Sequence, residues 1–156
     1  MVAGFETSMT LASEAATAHF GRRIAEGLRP GDAVLLSGEL GAGKTTLARA
    51  ILSGLGVTET VPSPTFTLVQ TYETAHMPVH HFDLYRIESP SEMTELGLDD
   101  ALDEGVALIE WPERGVPERI AREALHIALR TAGETSREVR IAGPERWRAI
   151  LGSAAA

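Results

Sequence analysis

The sequence contains no cysteine. Its absence excludes disulfides, cysteine-ligated zinc and thiol catalysis, and is compatible with the cytoplasm. Lysine is nearly absent too: Lys44 stands alone against thirteen arginines among the 14 basic residues. No apolar run approaches the roughly 18 residues that a bilayer span needs. The N-terminus lacks a positively charged segment followed by an apolar stretch, so no signal peptide is visible and a cytoplasmic location is expected. Basic residues are outnumbered by 22 acidic ones, for a net charge of −8. Tight nonspecific binding to nucleic acid needs a basic face, so any link to RNA is expected to run through a partner. The remaining composition, 44% apolar and 23% charged, is that of an ordinary globular chain. At 156 residues one domain over 1–156 is expected, with 151–156 a frayed tail. No repeat or linker divides it.

The single lysine lies within Gly38-Glu39-Leu40-Gly41-Ala42-Gly43-Lys44-Thr45, which matches the phosphate-binding pattern G-x-x-x-x-G-K-[ST]. The context suits the motif. Ala33-Val34-Leu35-Leu36-Ser37 is a short apolar run suited to a buried parallel strand. Thr45 to Leu52 reads as a helix, with Leu47, Ala50 and Ile51 on one face. Glycines let backbone N–H groups converge on phosphate oxygens, and the helix dipole adds positive potential. Gly38 to Thr45, with the start of that helix, then form an anion cradle. Lys44 is the compact ammonium for the β/γ-phosphates, and the Thr45 hydroxyl is a ligand for Mg²⁺.

Upstream, Phe5 to Leu11 is an edge-strand candidate. Ser13 is placed to cap a helix running to Leu28, with Phe20, Ile24 and Leu28 on its inner face and Arg22 and Arg23 on its solvated side. Arg29-Pro30-Gly31-Asp32 is a turn, and Gly54 and Gly56 end the helix after the P-loop. In Val61-Pro62-Ser63-Pro64-Thr65-Phe66-Thr67-Leu68, two prolines stiffen a hydroxyl-rich stretch before a strand over Thr67 to Tyr72. It reads either as a switch loop sensing the γ-phosphate or as a rigid strand entry.

Met77 to Arg86 reads as another strand. His80 and His81 are adjacent and point to opposite faces, so a structural role outweighs a shared metal. Asp83 falls where the strand gives way to a polar step. Pro90 to Asp103 predicts short helices, Ser91 serving as a cap. Val106-Ala107-Leu108-Ile109-Glu110 has the form of a strand presenting an acid to Mg²⁺. Trp111-Pro112 stops that strand, and Trp111 fits a core, an interface or the nucleotide equally. Glu118 to Ala124 suggests a helical turn. Leu125, Ile127 and Leu129 alternate as on a half-buried strand, with Val139 and Ile141 on its partner. Pro144 to Leu151 predicts a terminal helix docked by Trp147, Ile150 and Leu151.

Regulatory GTPases read guanine with Asn-Lys-x-Asp, which a chain with its sole lysine in the P-loop cannot contain; ATP is therefore the expected nucleotide. Four stretches stand in register with one known group: Gly38 to Thr46, Ser63-Pro64-Thr65-Phe66-Thr67-Leu68, His81-Phe82-Asp83-Leu84-Tyr85-Arg86 and Glu110-Trp111-Pro112. From about Leu11 to Ile141 the chain resembles the bacterial TsaE (YjeE) family. These are small P-loop ATPases required for the threonylcarbamoyl modification of the tRNA adenosine beside the anticodon.

The resemblance implies a P-loop α/β fold with a mainly parallel central sheet, flanking helices and added antiparallel strands. It implies ATP on Gly38, Glu39, Leu40, Gly41, Ala42, Gly43, Lys44, Thr45 and Thr46, with Mg²⁺ on Thr45 and Glu110. It makes Ser63 to Thr67 a switch-like loop that includes Thr65, places Asp83 near the γ-phosphate, and gives Glu14 and Arg137 further nucleotide contacts. Lys44, Thr65, Asp83 and Glu110 are thus the expected catalytic residues. The implied partner is the TsaD–TsaB heterodimer, with tRNA reached only through that complex. Two features depart from the family pattern: Gln70 stands where an acid or amide is expected, and Ala75 to Pro78 is compact. A small P-loop kinase, with Arg86 or Arg114 on a lid, and a nonhydrolysing adaptor are the alternative classes. Phosphate release without a phosphorylated acceptor would separate the ATPase from the first, and turnover from the second.

Overall fold

The computed structural model describes residues 4–58 and 68–152. Seven strands form one sheet in the order β1-β7-β6-β2-β5-β4-β3. β6 (Leu125–Thr131), β2 (Ala33–Ser37), β5 (Val106–Glu110) and β4 (Val79–Asp83) form its parallel centre. β3 (Val69–Tyr72) joins β4 antiparallel at one edge, and β7 (Arg137–Pro144) with β1 (Gly4–Leu11) extends the other.

The two middle strands, β2 and β5, read as near-continuous apolar runs because both their faces are covered. Alternation sends Val34, Leu36, Val106 and Leu108 to one side, where α1 (Glu14–Gly27) and α2 (Lys44–Gly54) pack. Leu35, Ala107, Ile109 and Phe82 go to the other, under α3 (Pro90–Glu95), α4 (Leu98–Glu104) and α5 (Glu118–Ala121). Ser13 caps α1, its hydroxyl accepting from the Ala16 N–H at 3.1 Å. Phe20 and Ile24 are buried as predicted, and Leu28, just past the helix end, is buried with them.

Several boundaries differ from the sequence reading. On α2 the buried residues include Ala48 and Leu52 beside Leu47 and Ile51, while Ala50 is half-buried against α1. Arg23 is not a solvated charge: its guanidinium donates to the Ile150 carbonyl. The Met77–Arg86 run is a strand only over Val79–Asp83, since the ladder with β5 ends at the pair Asp83 and Glu110. Ser89, not Ser91, precedes α3, and Gly97 separates α3 from α4. The helical turn after Pro117 covers only Glu118–Ala121. The C-terminal helix is a 3₁₀ turn, Glu145–Trp147, followed by a π turn, Arg148–Gly152. Trp147 and Leu151 are buried, so the chain is anchored through Leu151; residues 153–156 lie outside the described residues. Among the described residues no helix is long and apolar enough to cross a membrane.

Candidate functional site

The C-terminal ends of the parallel strands meet at one place in the sheet. β2 ends at Ser37 and runs into the glycine loop, α2 starts at Lys44, and β4 and β5 end side by side at Asp83 and Glu110. An open parallel sheet binds ligands at this edge. Gly38 and Gly43 take φ of 143° and 101°, in the region that favours glycine. A Cβ on Gly38 would stand 2.5 Å from the Leu129 carbonyl oxygen. The start of the loop therefore lies tight against β6.

A cavity here, about 340 Å³, is lined by Leu40, Gly41 and Gly43 to Thr46 of the loop together with Asp83, Tyr85, Glu110, Trp111 and Arg137. A larger one, about 690 Å³, lies between α3, α4 and α5 and contains none of the loop. Size alone would favour the second. Convergent polar groups favour the first.

Lys44 is only 5% exposed. Its Nζ donates to the carbonyls of Gly38 at 2.5 Å and Glu39 at 2.8 Å, and sits 4.2 Å from the centre of the Trp111 ring. Burial holds its ammonium below the ordinary lysine range, although the charges of Glu110, Glu113 and Asp83 pull the other way. The lysine is thus folded back onto its own loop, where anionic oxygens could replace both carbonyls.

Behind it, Thr45 Oγ1 donates to both oxygens of Glu110, at 2.8 and 3.0 Å. Nε2 of His81 lies 2.6 Å from Glu110 Oε2. Asp83, nearly as buried as Glu110, accepts from the Tyr85 N–H at 3.0 Å through Oδ1. Arg137, on β7, reaches the loop from the opposite side, its Nε donating to the Ala42 carbonyl at 2.9 Å. Trp111 has φ 59°, an uncommon left-handed conformation for a bulky residue. It turns the indole over Lys44, and Tyr85 packs on it at 4.9 Å between ring centres.

The structure therefore brings Gly41, Gly43, Lys44, Thr45, Thr46, Asp83, Glu110 and Arg137 to one cavity. Gly38, Glu39 and Ala42 do not line it; their carbonyls accept from Lys44 and Arg137, which do. Leu40, at the loop tip, is 71% exposed. Glu14 is exposed at the start of α1 and does not line the cavity. Ser63, Thr65 and Thr67 lie outside the described residues. Sequence reading missed the His81–Glu110 contact, although a signal existed: alternation through His81-Phe82-Asp83 places both polar residues on the α2 face and Phe82 on the other.

The oxygen donors of Thr45, Glu110 and Asp83 are those a hard cation prefers. Among the described residues no cluster of three or more His, Cys, Asp or Glu could hold a metal unaided. Mg²⁺ typically takes one or two protein carboxylates and completes its shell with phosphates and water.

The TsaE family model, described as threonylcarbamoyl adenosine biosynthesis protein TsaE, matches residues 11–139. Among curated proteins, the tRNA threonylcarbamoyladenosine biosynthesis protein TsaE of Bacillus subtilis is 43% identical over 112 residues, covering 71% of this chain and 69% of the relative. The protein of the same name from Streptomyces coelicolor is 44% identical over 135 residues, covering 81% and 90%. The crystal structure of YdiB from Bacillus subtilis superposes with a TM-score of 0.78 at 28% identity, covering 99% of this chain and 97% of that one. A family match over most of the length and relatives above 40% identity lead to one assignment: the chain belongs to the TsaE family.

Proposed function

We propose that this protein binds and hydrolyses ATP with Mg²⁺, as an accessory to threonylcarbamoyl modification of the tRNA adenosine beside the anticodon, acting on the TsaD–TsaB heterodimer. The observation that carries the reading is the Thr45 hydroxyl bonded to Glu110 directly beside the P-loop lysine. P-loop ATPases hold Mg²⁺ through a loop hydroxyl and an acid on a neighbouring strand.

In this reading Lys44 leaves the Gly38 and Glu39 carbonyls for the β- and γ-phosphates. The N–H groups of the loop take the remaining phosphate oxygens, aided by the N-terminus of α2. Thr45 and Glu110 would hold the cation, whose charge would offset that building on the phosphates. Asp83, in register with Glu110, is the acid proposed to lie near the γ-phosphate, where it would orient the attacking water. Arg137 clamps the loop from β7, and Thr65 belongs to a loop that senses the γ-phosphate. The acidic surface suits a partner-mediated role better than direct capture of tRNA.

The test is phosphate release from ATP, with and without purified TsaD and TsaB. Mg²⁺-dependent release raised by the heterodimer supports the proposal. Transfer of phosphate to a small acceptor would point to a kinase instead, and nucleotide binding without turnover, partners present, would leave an adaptor.

A further inference from the structure

Beside the P-loop, one fully buried polar group remains unused by the chemistry above: the imidazole of His81. It lies mid-strand on β4, on the face it shares with Asp83, and reaches Glu110 on the neighbouring β5. A carboxylate only accepts, so Nε2 carries the hydrogen and donates it over 2.6 Å to Oε2. Nδ1 is buried as well and has no partner among the described residues. Packing alone does not account for this. An apolar side chain of similar volume would fill the same space without the cost of burying an unbonded nitrogen. Among the described residues, the ring's one polar contact is to the carboxylate that Thr45 also grips.

We propose that His81 is a positioning residue for Glu110: its Nε2–H pins Oε2, so that the carboxylate presents its other lone pairs to the cation in one orientation. The inference rests on the Mg²⁺–ATP reading given above. The last torsion of a glutamate is broad and roughly two-fold, so an unpinned carboxylate samples many orientations. Thr45 cannot pin it, because its hydroxyl bridges both oxygens and is itself wanted by the cation. His81 can, because the β4–β5 ladder fixes its backbone. Hydrogen-bond partners standing behind metal-binding groups typically account for about 10- to 100-fold in metal affinity.

Two substitutions test this in the whole chain. His81→Phe keeps the ring volume and removes the donor; His81→Gln keeps an N–H at a similar reach. Calorimetry would measure Mg²⁺ binding to each protein loaded with a nonhydrolysable ATP analogue, and analogue binding in excess chelator as the control. His81→Phe should lose about 10- to 100-fold in Mg²⁺ affinity with Mg²⁺-free nucleotide affinity unchanged, and His81→Gln should recover most of the loss. Wild-type Mg²⁺ affinity in His81→Phe overturns the assignment, as does a glutamine variant no better than phenylalanine. Should circular dichroism show His81→Phe unfolded, His81→Asn, whose amide is too short to reach Oε2, takes its place with the same expectations. A wild-type chain that gains no Mg²⁺ with nucleotide would sink the proposed ATP site itself; normal wild-type binding with an unaffected variant sinks only the role of His81.

Discussion

Lys44 shows how one side chain is prepared for a ligand at the expense of the empty protein. Its ammonium is buried among loop carbonyls and held below the ordinary value of 10.5, chiefly by desolvation. The sign of the pH dependence follows. Between the folded pKa and 10.5 the unfolded chain binds a proton that the folded chain does not, so stability should rise with pH across that interval. Urea midpoints across the alkaline range should show this slope in the ligand-free protein and lose it in Lys44→Met. Lys44→Ala should fold and fail to bind ATP, because the lysine serves the cavity more than the core; calorimetry showing unchanged affinity would refute that role. Thr45→Ala and Glu110→Gln each remove one proposed cation ligand. Each should depress Mg²⁺-dependent turnover by at least the roughly 10- to 100-fold seen when supporting groups are lost, and affect Mg²⁺-free nucleotide binding less. Normal hydrolysis by both, in the presence of TsaD and TsaB, would show the metal site to be misassigned.

Among the elements, α2 matters most, since it starts at Lys44 and carries Thr45 in its first turn. It is held by its crossing with α1, where small residues let the backbones approach. A Cβ on Gly21 would overlap Ala50, coming within 2.8 Å of its carbonyl carbon, and one on Gly54 would meet Ala25 at 2.9 Å. Two effects compete in Gly21→Ala. Alanine is better than glycine in a helix interior by about 1 kcal/mol, whereas overpacking costs typically about 1–3 kcal/mol. Here the obstacle includes backbone of α2, which cannot swing aside like a side-chain tip, so the cost should win. Equilibrium urea unfolding should give a lower midpoint for Gly21→Ala. The same variant should bind ATP more weakly, because relieving the overlap shifts the helix that bears the site. An unchanged or raised midpoint would mean that the two helices separate freely.

The whole molecule places the proposed nucleotide cavity at the C-terminal ends of the central parallel strands of a seven-stranded sheet. Phosphoryl transfer needs charge neutralised on the γ-phosphate and a positioned water. Lys44 is the cation already inside the cavity, and Arg137 is engaged in holding the Ala42 carbonyl. Turnover by the lone chain should therefore be slow. Binding to TsaD–TsaB should raise it at least several-fold, by bringing Thr65 to the γ-phosphate or by contributing a further cation, as partner-supplied arginines do in other P-loop enzymes. Thr65→Ala and Asp83→Ala should keep ATP binding and lose the stimulation. Single-turnover hydrolysis with and without partners decides this: fast turnover alone, or full stimulation of both variants, would refute the switch role.

What the sequence determined unaided is whatever neighbours along the chain encode. The P-loop spacing, the strand before it, the helix after it, the Ser13 cap and the acid ending β5 all follow from short-range periodicity and backbone chemistry. The fold class and the family resemblance rest on the same local patterns, and the comparisons bear both out. Strand ends were less legible, because an apolar run does not reveal where a partner strand stops hydrogen bonding; Met77 to Arg86 therefore shortened to Val79–Asp83. Only the tertiary structure decided which distant groups meet. Thr45 finds Glu110 because β2 lies beside β5, and His81 reaches it because β4 lies on the far side of β5. Trp111, which fitted three environments by sequence, covers Lys44 because its left-handed backbone turns it there. Strand order is the solution to burying two apolar faces at once, and no local pattern contains it.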